Sequence, residues 1–282
     1  MYGQAERVLE LKRLEAAESR GNGKKIFAFT SGKGGTGKTF LSLNIAYALS
    51  AKKKVLFIDL DPNLSNANIM INQAPAKTLY NFFSGRSMLY ELITEFEPNL
   101  HFIFCDSGKL GYLKGKNGSI NQLFNQLEEI QSGYDLIIID TGSGAGEDVF
   151  SILLNADVNI IVTTTEPTAI MDAYVMLKLL NGSNYSGEKI ILINKCGDTE
   201  EGKAAFGNLE LAAGHFLNER LNLIGSIDYD RAASESIIAQ ELILKLLPDS
   251  KLSSQILNIS NSIFEYAYNL HTGMQVANIH QR

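Results

Sequence analysis

The chain has 282 residues, 45% of them hydrophobic and 20% charged, the profile of a globular protein and not of a fibrous or disordered one. Its 25 Lys+Arg against 31 Asp+Glu leave a net charge of −6, which lacks the basic excess of a general nucleic-acid binder. No apolar run reaches the roughly 18 residues that span a bilayer, and no apolar signal core opens the chain, so a cytoplasmic protein is expected. Cys105 and Cys196 stand far apart with no CxxC, and the four histidines have no ligand-like spacing, which argues against structural disulfides and a zinc site.

Residues 1–23 are expected to be an arm and its tether. Ala5, Val8 and Leu9 share one side of a predicted helix, Leu11 and Leu14 lie near its edge, and Gly21, Asn22 and Gly23 break it. A solvated terminus is the other reading of the same residues. Seven apolar, β-branched runs follow, separated by helical patterns: Ile26–Phe29, Val55–Ile58, Leu100–Phe104, Leu136–Ile139, Asn159–Val162, Lys189–Ile193 and Leu223–Ile227. Such runs predict an α/β domain over 24–270, built on a mainly parallel sheet of about seven or eight strands with helices on both faces. Residues 271–282 are left as a tail.

Leu41, Ile45, Ala48 and Leu49 form a stripe that predicts a helix over 38–50 with one face on the sheet. Lys52, Lys53 and Lys54 follow it, where cations suit the negative end of the helix dipole. Ile256, Ile259, Ile263, Ala267 and Leu270 form another stripe, but the opposite face has no Lys or Arg. Core packing therefore fits this segment better than a membrane surface.

Gly32-Lys33-Gly34-Gly35-Thr36-Gly37-Lys38-Thr39 satisfies GxxxxGK[ST] between a predicted strand and a predicted helix, the context in which that pattern is a phosphate-binding P-loop. Glycines let backbone N–H groups converge on phosphate oxygens, Lys38 neutralises the β- and γ-phosphates, and the Thr39 hydroxyl ligates Mg²⁺. ATP or ADP with Mg²⁺ is the expected cofactor. Asp59 and Asp61 close the second strand and Asp140 closes a later one, where carboxylates beside a P-loop can serve a metal ion and an attacking water, though an Asp after a strand is also an ordinary loop start or helix cap. Asn194 ends another strand, where its amide suits either a base edge or a turn.

The second lysine of the loop, Lys33, makes the stretch KGGxGK[ST], and here the sequence resembles the deviant Walker A ATPases of the MinD/ParA family. The resemblance implies that Lys33 reaches the phosphates of a partner subunit, so that ATP joins two copies into a dimer. It further implies that Asp59 and Asp140 hold Mg²⁺ through its waters and that Asp61 positions the attacking water. Asp61–Asn66 and Thr141–Gly146 would then be the two switch loops, with Asn194 and Asp230 beside adenine. At Asp230 the likeness is partial, because Asp228 stands where relatives often have proline.

Within the family, the two isolated cysteines do not suit iron–sulfur carriers. Residues 201–282 hold six Lys+Arg against nine Asp+Glu, a net of −3, which does not suit nonspecific DNA binding. Thr163-Thr164-Thr165-Glu166-Pro167-Thr168-Ala169-Ile170-Met171-Asp172-Ala173-Tyr174 is similar to the TTxEPTxxxDAY segment of the flagellar number regulators FlhG, FleN and YlxH, and the likeness runs on through Glu201-Gly202 and Leu247–Lys251. Thr168 is expected to cap a helix over 169–180. That resemblance implies a slow ATPase switch controlling flagellar number or placement, cytoplasmic or peripheral at the inner membrane or cell pole. It also implies contact with the GTPase FlhF through an N-terminal motif, of which Gln4 and Ala5 are present while the Asp and Arg are missing. The family's C-terminal membrane helix has no clear counterpart in 273–282. A cell-division or cargo-positioning ATPase of the same family and a dethiobiotin-synthetase-like ligase are the competing readings.

Overall fold

The computed structural model describes residues 25–61, 66–106, 119–183 and 185–268. Eight strands form one sheet: β1 (Ile26–Ser31), β2 (Val55–Leu60), β3 (Thr94–Glu97), β4 (Leu100–Ile103), β5 (Leu136–Ser143), β6 (Val158–Thr164), β7 (Glu188–Cys196) and β8 (Asn222–Asp228). They lie in the order β3-β4-β2-β5-β1-β6-β7-β8, and only β3 runs antiparallel to its neighbour. The central strands are buried on both faces, as their uninterrupted apolar runs require. The seven expected strands are all present. The eighth, β3, reads Thr-Glu-Phe-Glu and sits on the sheet's edge, where polar residues are tolerated and no apolar run announces a strand.

The helices are α1 (Lys38–Ser50), α2 (Ala67–Met70), α3 (Leu79–Phe83), α4 (Ser119–Ile130), α5 (Glu147–Asn155), α6 (Pro167–Gly182), α7 (Thr199–Leu217), α8 (Arg231–Ala239), α9 (Ile243–Leu246) and α10 (Lys251–Ala267). One core joins α3 to α7 to one face of the sheet, and the other joins α1, α2, α9 and α10 to the opposite face. Helix α1 occupies its expected span but not its expected single-faced packing. It lies between the sheet and α10, so Phe40, Leu43 and Ala46 are buried as well as Leu41, Ile45 and Leu49, while Ala48 is only half-buried. Helix α10 packs its stripe into the core through Leu252, Ile256, Ile259, Ile263 and Ala267.

The lysines after α1 rest on aromatic rings: Lys52 over Phe264, Lys53 over Tyr268 and Lys54 over Tyr134, with ammonium-to-centroid distances of 5.1, 4.8 and 5.5 Å. Their place in the fold is thus a set of cation–π contacts, two of them tying the end of α1 to α10. The expected arm, most of the first switch loop (residues 62–65) and the tail lie outside the described residues. Thr141–Ser143, expected within the second switch loop, continue β5. Thr141 Oγ1 donates to Phe29 O at 3.0 Å and Ser143 pairs in register with Ser31, which extends the strand.

Candidate nucleotide site

The loop from Gly32 to Gly37 joins the end of β1 to α1 in the middle of the sheet. Gly35 and Gly37 have φ of +80° and +87°, the left-handed region that glycine enters at no steric cost. Gly37 is pinned by a neighbour too, since a Cβ there would lie 2.3 Å from Asn194 Nδ2. Gly32 is required for another reason: a Cβ would stand 2.5 Å from the backbone oxygen of Asp172, so the loop lies directly against α6.

Lys38, the first residue of α1, is buried and donates from Nζ to Asp140 Oδ1 at 2.9 Å. Thr39 Oγ1 donates to Asp140 Oδ2 at 2.6 Å, and Ser42 Oγ donates to Asp140 Oδ1 at 3.0 Å. Asp140 is fully buried, and these three donors offset its desolvation. Asp59 faces it across the β2–β5 register and is buried too. Asp61 N donates to Asp59 Oδ1 at 3.1 Å, and Asp61 Oδ1 lies 3.5 Å from the point a Cβ on Gly142 would occupy, so this acid stands against the second loop.

Lys33 is set apart from Lys38. Its ammonium donates to Glu166 Oε2 at 2.6 Å and to Thr168 Oγ1 at 3.3 Å, with the side chain 41% exposed. The hydrogen bond from Lys33 and its charge hold the Glu166 carboxyl below the usual carboxylate range. Thr168 is therefore not the helix cap that was expected. Helix α6 begins at Pro167, whose fixed φ suits the first helical position, with Glu166 as N-cap, and the Thr168 hydroxyl serves Lys33.

Asn194 Nδ2 donates to Thr36 O at 2.7 Å, and Lys195 Nζ donates to Gly35 O at 2.7 Å. The end of β7 thus grips two carbonyls of the phosphate loop. Lys195 was not singled out by the sequence, where it reads as a surface lysine; its unusual φ of +58° appears only in the fold. Ser42 was missed as well, although its place three residues after Thr39 puts it on the same side of α1. Asp230 is the N-cap of α8 and accepts from Ala232 N at 2.9 Å.

These residues fit a nucleoside triphosphate and its metal. The glycine-rich turn, the α1 N-terminus and a buried lysine are an anion cradle, and among the described residues the buried Thr36 Oγ1 in that loop has no hydrogen-bond partner. No group of three His, Cys, Asp or Glu among the described residues could hold a metal by itself. Two carboxylates and a hydroxyl suit Mg²⁺, which takes its remaining ligands from phosphate and water.

Fold and site together define a P-loop ATPase. A family model described as an AAA domain matches residues 24–187. The flagellum site-determining protein YlxH of Helicobacter pylori is 32% identical over 264 residues, covering 91% of this chain and 88% of that protein. The antiactivator FleN of Pseudomonas aeruginosa is 29% identical over 230 residues, covering 81% and 82%. Among solved structures, the cell division ATPase MinD of Pyrococcus furiosus superposes with a TM-score of 0.74 at 22% identity, over 86% of this chain and 100% of that one. The septum site-determining protein MinD of Pyrococcus horikoshii, complexed with Mg-ADP, gives 0.72 at 22% identity, over 85% and 95%. The chain belongs to the MinD/ParA family of deviant Walker A ATPases.

Proposed function

We propose that this protein is an ATP-dependent switch, monomeric with ADP and dimeric with Mg-ATP, that hydrolyses ATP slowly and controls the number or placement of flagella. The observation that carries the dimer is the division of labour between two lysines in one loop. Lys38 is buried on Asp140, whereas Lys33 is exposed and, among the described residues, held by an exposed carboxylate and a hydroxyl. A cation so placed can exchange Glu166 for the phosphates of a second subunit. The flagellar reading draws on YlxH and FleN, whose likeness runs along more than four fifths of each chain.

In this reading the backbone N–H groups of Gly34 to Thr39 and the Lys38 ammonium would bind the phosphates, and Thr39, Asp59 and Asp140 would hold Mg²⁺, which would supply charge neutralisation. Asp61 would orient the attacking water, and Lys33 from the partner subunit would place its positive charge against the negative charge on the oxygens of the phosphoryl group in transfer. Asn194, with Nδ2 committed to Thr36, offers its Oδ1 to the adenine edge, and Asp230 lies beside the base. Hydrolysis yields ADP and phosphate and resets a partner-binding state. Gln4 and Ala5 would engage the flagellar GTPase FlhF. The protein would work in the cytoplasm or peripherally at the inner membrane or pole; no described helix is long and apolar enough to cross a membrane.

Light-scattering mass tests the switch. Asp61→Ala should trap a dimer in Mg-ATP and remain monomeric in ADP, and adding Lys33→Ala should abolish the dimer. A monomer in both nucleotides would overturn the reading.

A further inference from the structure

Helix α6 carries apolar residues on two sides. Ala169, Ala173, Met176, Leu177 and Leu180 are buried towards β6 and β1. On the outer side Met171, Val175 and Leu179, spaced i, i+4 and i+8, are 61%, 42% and 40% exposed. Tyr174 widens this stripe towards α7, where its ring meets that of Phe216 edge-on at 6.4 Å, and Phe216 is itself 70% exposed. The exposed Lys178 sits beside Val175 and Leu179, so the stripe presents one cation among apolar groups. No described segment covers it.

We propose that residues 5–18 of this same chain dock along the outer stripe of α6. The place where the chain enters the sheet supports this occupant. Lys25 N and Ile26 N both donate to Asp157 Oδ2, at 2.9 and 2.8 Å. Glu188 N donates to Asp157 O at 3.0 Å, and Tyr185 OH donates to Ala156 O at 3.0 Å. Gly182, the last residue of α6, precedes Tyr185 by three residues, a reach of at most about 11 Å. The segment upstream of Lys25 therefore starts beside the C-terminal end of α6, and the four residues 21–24 can span up to about 14 Å.

Length and chemistry agree with that path. A helix over 5–18 would be about 21 Å long, against about 24 Å for α6. With Val8 set beside Met171, Ala5 and Leu9 would meet the same end of the stripe, Ala16 would lie by Leu179, and Glu15 would stand opposite Lys178. A tether this short holds the segment at an effective concentration of about millimolar, which favours it over a second molecule. The C-terminal residues 269–282 are less well placed, because Tyr268 ends α10 on the opposite face of the sheet. The docked segment runs parallel to α6, which brings Gln4 and Ala5 to the helix end that holds Lys33.

Val175→Cys tests the docking, because the native thiols do not compete. Cys105 and Cys196 are buried, and burial pushes the Cys196 thiol up to about 11. In Mg-ADP, maleimide should label position 175 about tenfold more slowly in the full chain than in the same chain carrying Val8→Asp and Leu9→Asp. Equal rates overturn the proposal, as does protection that grows with protein concentration, which would make the cover a second copy. A full chain with Val8→Cys and Met171→Cys should form an intramolecular disulfide under mild oxidation and run as a monomer; failure to crosslink overturns the docking independently of any loss of packing at position 175.

Discussion

Helices α10 and α6 flank the same sheet on opposite faces, and their sequences serve different ends. In α10 the stripe Leu252, Ile256, Ile259, Ile263 and Ala267 is consumed by the core and by α1, and Leu257, 43% exposed, stands by itself on the outer side. In α6 the core takes one set of apolar residues and leaves a second set in solvent, while the helix entrance carries the groups that hold Lys33. A helix whose apolar residues exceed what its core can bury has a second surface to serve. The phosphate loop sides with α6, since a Cβ on Gly32 would meet the Asp172 backbone and Lys33 donates to Glu166 and Thr168 at the α6 entrance.

The sharpest way to test the contrast is to remove packing from each helix. Ile256→Ala deletes a fully buried side chain of α10 and should cost about 2–5 kcal/mol of stability, measured by denaturant unfolding. Gly32→Ala forces the loop away from the Asp172 backbone and should weaken ATP binding by about tenfold or more with a smaller loss of stability, read from nucleotide titration beside a thermal melt. Val175→Ser removes an equally apolar residue from α6 but should leave unfolding within about 0.5 kcal/mol of the parent in a chain whose N-terminal segment carries Val8→Asp and Leu9→Asp. A loss as large as that of Ile256→Ala would erase the difference between the two helices.

Much of the fold was legible because the central strands are apolar on both faces and therefore need no alternation to be seen, while the edge strand β8 was still marked by Leu223, Ile224 and Ile227. Strand β3 escaped because an edge strand of four residues with two glutamates carries no such signal. Helix α1 was found at its expected bounds but with the wrong packing: the extra apolar positions Phe40, Leu43 and Ala46 mark burial all round, visible only once α10 is laid over it. In the site, the loop, Lys38, Thr39, Asp59 and Asp140 were legible because the spacing GxxxxGK[ST] and acids at strand ends fix what they can meet. Thr168 and Lys195 were not. Pro167 moves the helix start back two residues and frees the threonine, and a lysine that donates to a loop carbonyl from a left-handed backbone looks in sequence like any other. The hydrogen bond recorded for Asp230 is a local cap, and such a bond gives the sequence no sign of a distant partner.

The three lysines lying on aromatic rings beyond α1 bear on the site at its other end. Helix α1 has no glycine or proline between Lys38 and Ser50, so its 13 residues behave as one rod about 20 Å long. Lys52 also donates to Asn261 of α10 at 2.8 Å, which adds a directional fastening to the ring contacts. A rod clamped at its foot cannot slide or roll at its head, and the depth at which Lys38 meets Asp140 is therefore set in part by Phe264 and Tyr268, far from any phosphate.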